Sequence, residues 1–363
     1  MASAAPEFTR HPHPHPLAET QRAAILANPG FGTHFTDHMV AIDYHEARGW
    51  HDARVVPYGP IALDPAAAVL HYAQEIFEGM KAYRLADGGI ALFRPEANAA
   101  RFNASAARLA MPAIDPALFV EAVRQQVLAD AAWFPAVEGG SIYLRPFMFA
   151  SEPFLGVRPA RSYTFLVIAS PVGNYFKSGA PAVSIWVSDY TRAAPGGTGA
   201  AKCGGNYAAS LVPTAEAFAR GHDQVLFLDA AEHRWVEELG GMNLFFVHAD
   251  GTLVTPPLGG TILPGITRDS LIALARDEGL AVREDRYALD QWRDDAQSGA
   301  LVECFACGTA AVVTPVGKVA DASGEFTIGS GGPGQVTQRL RQRLVAIQRG
   351  EAPDPHGWVH RIA

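Results

Sequence analysis

A turn-rich stretch, Pro171-Val172-Gly173-Asn174-Tyr175-Phe176-Lys177-Ser178-Gly179-Ala180-Pro181, parts two strand-like runs near the middle of this 363-residue chain. Clustered glycine, proline, asparagine and serine cannot continue either run, so the stretch reads as a linker. The length suits two domains, each large enough to hold its own core. The expected division is a flexible tail over residues 1–30, a small α/β domain over 31–171, a linker over 172–182 and a large domain over 183–363.

On the N-terminal side, strand-like runs (Met39 to Tyr44, Arg54 to Tyr58, Gly89 to Phe93, Ser141 to Phe149, Tyr163 to Ser170) alternate with two helical patterns. Pro95 to Met111 opens with proline at a helix-start position, and Asp115 to Trp133 has an Asp-Pro entry. Beyond the linker come a strand from Ala182, a helix over about Tyr207 to Arg220, strands near Val225 to Asp229, Arg234 to Glu238 and Asn243 to Val247, a helix from Thr267 to Glu278, and a terminal helix around Gly334 to Gln348. There is no internal repeat. Mixed strands and helices on both sides of the linker give a two-domain α+β fold.

The net charge of −8 argues against a nucleic-acid surface, which shows a basic stripe. Apolar runs such as Tyr163 to Pro171 fall far short of the roughly 20 residues of a spanning helix, and the N-terminus lacks a basic region leading into an apolar one. No membrane association is expected, and a cytoplasmic protein is the default. Three cysteines, Cys203, Cys304 and Cys307, make a disulfide framework improbable. Cys304 and Cys307 have the spacing of redox motifs, but Ala300 to Ala306 reads as a buried strand, so inert core thiols are preferred. His11-Pro12-His13-Pro14-His15-Pro16 cannot be helical; it offers metal ligands or a disordered tail, and the tail is preferred. No metal ion is expected.

Lys202 points to chemistry. It is one of four lysines against 25 arginines, and it lies in Gly196-Gly197-Thr198-Gly199-Ala200-Ala201-Lys202-Cys203-Gly204-Gly205-Asn206-Tyr207. Glycines let a flat ligand lie against the backbone, and an apolar setting disfavours the charged amine. A nucleotide phosphate loop is excluded: glycine must precede its lysine and a hydroxyl residue must follow, whereas here Ala201 precedes and Cys203 follows. A neutral lysine forms Schiff bases, and the economical carbonyl partner is pyridoxal 5'-phosphate, an electron sink. That cofactor asks for an acid at its ring nitrogen, a phosphate site, a donor at its phenolic oxygen and an apolar wall. Trp235-Val236-Glu237-Glu238-Leu239 offers two carboxylates at the end of an apolar strand, one facing inward by alternation; a solvated acidic strand end is the alternative. Leu263-Pro264-Gly265-Ile266-Thr267 runs into a helix whose N-terminus suits phosphate, and Gly308-Thr309-Ala310-Ala311 follows a buried strand.

Together with Phe77-Glu78-Gly79-Met80-Lys81, Leu144-Arg145-Pro146 and Gly204-Gly205-Asn206-Tyr207, these runs resemble the branched-chain amino-acid aminotransferases of the fold-type IV pyridoxal-phosphate class, in order and spacing from about Gly32 to Pro315. The resemblance implies Lys202 as the Schiff-base lysine and proton carrier, Tyr207 as the donor to the phenolic oxygen and Glu238 as the partner of the ring nitrogen, with Glu237 facing away. It implies Arg101, Ile266, Thr267 and Thr309 at the phosphate and Leu263 on the ring. The substrate would meet Phe31, Phe77, Tyr143, Tyr175, Ala310 and Ala311, with Tyr72, Leu155 and Val157 entering from the second subunit of a homodimer. Amino acids and 2-oxo acids are the implied partners. Some relatives carry a Cys-x-x-Cys just after Gly-Thr-Ala; this chain has Ala311 and Thr314 there, which speaks against that redox route. Strand alternation puts Arg145 on the face of Tyr143, where it would read a distal carboxylate or form a structural salt bridge. A lyase or D-specific enzyme of the same fold and a non-catalytic metabolite binder are the rival functions.

Overall fold

A computed structural model of the chain describes residues 6–173 and 182–363; Tyr175 and most of the expected linker lie outside them. The described part packs as two units. One comprises residues up to 173 with Ala201–Gly204 and Gln348–Ala363, and the other comprises residues 182–200 and 205–347. The linear division did not anticipate that the lysine segment and the C-terminus belong with the first unit.

The first unit is built on a nine-stranded sheet. Its strands are β1 (Thr9–Arg10), β2 (His38–His45), β3 (Gly49–Pro57), β4 (Glu75–Phe77), β5 (Met80–Arg84), β6 (Ile90–Phe93), β7 (Ser141–Ala150) and β8 (Ser162–Val172), closed by the C-terminal strand Val359–Arg361. The order is β1-β3-β2-β8-β7-β5-β6 and then the C-terminal strand, with β4 paired to β7. Among the described residues its α-helices are α1 (Glu19–Ala27), α2 (Ala68–Tyr72), α3 (Pro95–Arg108) and α4 (Pro116–Ala129). Pro95 occupies the first turn of α3, where its missing N–H costs nothing. Asp115 caps α4 by accepting the amide of Ala117 at 2.7 Å. The two helices bring Phe102 and Phe119 onto Phe165 of β8, with ring centroids 5.3–5.8 Å apart. All three rings are fully buried, each contributing about 1.5–3 kcal/mol.

The region expected as a flexible tail carries structure over its described residues. Thr9 and Arg10 add a parallel strand to β3, an extended geometry that the flanking prolines permit. Glu19–Ala27 is rich in helix formers, and Ile25 and Leu26 pack on the core.

The second unit has its own nine-stranded sheet, in the order β11-β10-β9-β16-β15-β12-β13-β14, with β17 on β16. The strands are β9 (Val183–Val187), β10 (Gln224–Leu228), β11 (Val236–Leu239), β12 (Asn243–His248), β13 (Leu253–Thr255), β14 (Val282–Glu284), β15 (Leu301–Gly308), β16 (Val312–Asp321) and β17 (Gly324–Thr327). The helices are α5 (Gly204–Ala208), α6 (Leu211–Ala219), α7 (Ile266–Asp277), α8 (Leu289–Ser298) and α9 (Gln335–Gln348). The continuous helix expected from Tyr207 to Arg220 is broken into α5 and α6. Pro213 has no N–H for the carbonyl of Ala209, and it is tolerated where it sits, in the first turn of α6. Trp292 of α8 meets Phe246 at 4.9 Å and Phe326 at 5.7 Å in the core. Cys304 and Cys307 are buried and unpaired on β15, and burial pushes both thiols up, away from the reactive thiolate. Among the described residues no helix is long and apolar enough to cross a membrane.

Candidate active site

In the first unit the lysine segment is tied by its backbone at three points. The Lys202 amide donates to Ser105 Oγ at 2.9 Å, its carbonyl accepts the Phe77 amide at 2.9 Å, and the Gly204 amide donates to Glu75 Oε1. A Cβ at Gly204 would meet that carboxylate, which would have to shift to admit it. The backbone is fixed by these three bonds. Lys202 Nζ lies 4.6 Å from the centre of the Phe77 ring. Withdrawal from water, reinforced by the positive charge of Arg101, lowers its amine to about 8.

Arg101 is held by a carboxylate that the sequence reading had not assigned. Glu78, fully buried, accepts Arg101 Nε at 2.7 Å and Nη2 at 2.8 Å. Asn98, nearly one turn earlier on α3, donates to the same carboxylate at 2.8 Å, and the Gly79 amide does so at 3.1 Å. Burial alone would raise Glu78, but Arg101, Lys202 and Asn98 outweigh it and hold the carboxyl below its ordinary range.

Alternation along β7 places Tyr143 and Arg145 on one face, as expected. The Arg145 guanidinium lies 4.8 Å from the Phe77 ring centre and 5.6 Å from that of Tyr143, and Phe31 meets Tyr143 edge-on at 5.1 Å. Phe31, Phe77 and Tyr143 thus lie together with the Arg145 guanidinium set among them. Arg145 Nε is buried without a hydrogen-bond partner among the described residues. A side chain at Gly79 would run into the Tyr143 hydroxyl. Tyr72, Leu155 and Val157 stand apart on the surface, 43%, 77% and 91% exposed, with the Tyr72 hydroxyl donating to the Leu155 carbonyl at 2.7 Å.

In the second unit both adjacent glutamates of β11 are buried. Neither is a solvated strand end. Glu238 accepts from the Leu263 amide at 3.2 Å and from Asn243 Nδ2 at 3.3 Å, and it is paired with Arg192. Glu237 takes the Thr261 hydroxyl at 2.5 Å, and burial raises its carboxyl above the ordinary range despite that bond. Helix α7 begins at Ile266 and Thr267 behind Gly265 without a side-chain cap, so its first-turn amides have no intrahelical partner. Gly265 packs against Asn243, and a Cβ there would meet the Asn243 amide oxygen. The hairpin of Thr309, Ala310 and Ala311 joins β15 to β16 and stands beside Met242, because Asn243 pairs with Cys307 across β12 and β15. Tyr207 lies against Gly241. This unit thus holds Glu238 against the Leu263 amide and Asn243, Tyr207 against Gly241, an uncapped helix start after Gly265 and a hydroxyl-bearing hairpin beside Met242.

The profile of the class IV amino-transferase family matches residues 75–319. The chain belongs to the class IV aminotransferases. It is 59% identical over 360 residues to a probable branched-chain-amino-acid aminotransferase of Streptomyces coelicolor, covering 99% of each chain. It is 57% identical over 367 residues to the branched-chain-amino-acid aminotransferase of Mycobacterium tuberculosis, covering all of both. Among solved structures it is similar to the branched-chain aminotransferase of Escherichia coli, with TM-score 0.75 and 30% identity over 89% of this chain and 99% of that one. It is also similar to the T.th. branched-chain aminotransferase with pyridoxamine 5'-phosphate, with TM-score 0.74 and 31% identity over the same shares. The fold is the two-domain α+β fold-type IV architecture of these aminotransferases.

For a class IV aminotransferase the residues missed at the level of sequence are supports: Glu78, Asn98, Ser105, Glu75, Arg192 and Asn243. One signal was available for Glu78. A charged residue among apolar neighbours in Ile76-Phe77-Glu78-Gly79-Met80 must find a partner if buried.

Proposed function

We propose that this chain is a branched-chain-amino-acid transaminase, moving the amino group between L-leucine, L-isoleucine or L-valine and 2-oxoglutarate with pyridoxal 5'-phosphate as cofactor. The observation that carries the reading is Lys202, an amine brought down to about 8 on a backbone tied at three points. The residues present fit the group: a partly neutral amine, a buried carboxylate in Glu238, an arginine in Arg101 and an uncapped helix start at Ile266.

In this reading Lys202 holds the cofactor covalently, Arg101, Ile266, Thr267 and Thr309 hold its phosphate, Tyr207 donates to its phenolic oxygen, Glu238 faces its ring nitrogen and Leu263 packs on the ring. When bound, the cofactor supplies an electron sink for the α-carbon of the amino acid. Lys202, with an amine that is partly neutral near pH 8, takes the α-proton and returns it to the acceptor carbon as general base and acid. Phe31, Phe77 and Tyr143 exclude water from an apolar side chain, and Tyr175 is assigned to the same wall from the resemblance. Arg145, set among those rings, meets the distal carboxylate when glutamate or 2-oxoglutarate takes the place of leucine. The amides of Ala310 and Ala311 take the substrate α-carboxylate.

A homodimer completes the reading. Tyr72, Leu155 and Val157 form an exposed apolar group that suits burial against a second copy. A cytoplasmic setting accords with three unpaired cysteines. Replacing Lys202 by alanine tests the assignment: removal of a general base costs about 10²–10⁴-fold, and loss of the covalent anchor adds to it. Substantial steady-state transamination by a folded Lys202→Ala protein would refute the role.

A further inference from the structure

Arg192 lies between β9 and the lysine segment, with its side chain 5% exposed against 4% for Glu238. Its Nη2 faces three oxygens. It donates to the Thr261 carbonyl at 2.5 Å and to the Gly199 carbonyl at 3.4 Å, and it pairs with Glu238 Oε1. Gly199 is packed so closely on Thr261 that a Cβ would meet the Thr261 backbone. The guanidinium therefore pins three pieces of chain at one point: the glycine-rich stretch, the segment that runs into α7 and the end of β11. Thr261 is shared, since its hydroxyl donates to Glu237. One buried cation thus serves two adjacent buried carboxylates. Glu237 has its proton affinity raised by burial, whereas Glu238 receives the guanidinium directly.

We propose that Arg192 is a positioning residue for Glu238, fixing its carboxylate and supplying its counter-charge so that it faces the cofactor ring nitrogen as an anion. The inference rests on the assignment of Glu238 to that nitrogen. An anion there keeps the ring nitrogen protonated, and a carboxylate stripped of its counter-charge in a buried site takes up a proton instead. Arg192 then governs both half-reactions alike, because leucine and glutamate depend on the same ring. In this it differs from Arg145, which separates the two substrates.

The test compares wild type, R192M, R192K, E238Q and the double variant R192M/E238Q. Pyridoxal 5'-phosphate is titrated into each apo-protein, and single-turnover rates are taken with L-leucine and with L-glutamate. R192M should weaken cofactor binding and slow both half-reactions by about 10- to 150-fold, the range for a hydrogen bond to a charged group. R192K, which keeps the charge, should recover at least tenfold of the lost rate. The double variant should match E238Q within about threefold, because the two residues act as one unit. If the orphaned carboxylate prevents R192M from folding, the neutral pair carries the comparison, and a further tenfold loss in it would contradict the proposal. R192M with a lowered melting temperature but unchanged cofactor affinity and rates would reduce Arg192 to a structural tie. E238Q with wild-type affinity and turnover would overturn the assignment of Glu238 itself; a crippled E238Q beside an unaffected R192M would overturn only the role of Arg192.

Discussion

Glu78→Gln removes the carboxylate that holds Arg101, the arginine proposed for the cofactor phosphate, while leaving in place every residue assigned to the cofactor or substrate. Glu78 accepts four donors at 2.7–3.1 Å: Nε and Nη2 of Arg101, Nδ2 of Asn98 and the Gly79 amide. A glutamine in the same place has one acceptor oxygen. If its oxygen keeps the three donors at the Oε2 position, its amide nitrogen confronts Arg101 Nε, donor against donor, and the Arg101 charge loses its carboxylate. Breaking a buried pair from one side costs about 3–5 kcal/mol. For a unit of this size that corresponds to a melting temperature lower by about 6 °C or more. The apo-protein should show this loss in thermal denaturation, and the holoprotein should show weaker cofactor binding, since Arg101 is no longer held in place. The pH dependence has a definite sign. Glu78 titrates below its ordinary value when folded, so its contribution is present above the unfolded carboxylate range and is lost as pH falls through the folded value. Stability curves of wild type and variant should converge in acid. A variant that melts within about 1 °C of wild type at neutral pH, with unchanged cofactor affinity, would refute the clamp.

Arg145→Met should slow the L-glutamate half-reaction by about 10- to 150-fold, the range for a hydrogen bond to a charged group, while largely sparing L-leucine; equal losses in single-turnover rates would mean that Arg145 holds the wall together and does not read the acid. Sedimentation at assay concentration should give a dimer, and a fully active monomer would refute the roles of Tyr72, Leu155 and Val157.

What the sequence made legible follows from what is local. Proline at the start of α3, the Asp-Pro entry to α4 and the alternation along β7 and β8 are fixed by neighbours in the chain, and they appear where expected. The burial that lowers the Lys202 amine was legible from its apolar neighbours. Its supports were not, because they come from far along the chain: Ser105 lies 97 positions from Lys202, and Glu75 lies 129 from Gly204. Alternation along β11 predicted one inward glutamate and one outward; the Thr261 hydroxyl instead gives Glu237 a buried partner. The His-Pro tract excluded helix over its own length and was extended too far, over the helix formers of Glu19–Ala27.

The central claim is that Lys202 carries a pyridoxal cofactor that accepts the amino group of branched-chain L-amino acids. Absorption spectra of the purified holoprotein before and after L-leucine test it most directly. The account predicts a visible band of lysine-bound cofactor that gives way, without any second substrate, to a near-ultraviolet band of aminated cofactor, and that returns on adding 2-oxoglutarate. A visible band that L-leucine leaves unchanged while D-leucine or another amine discharges it would contradict the account.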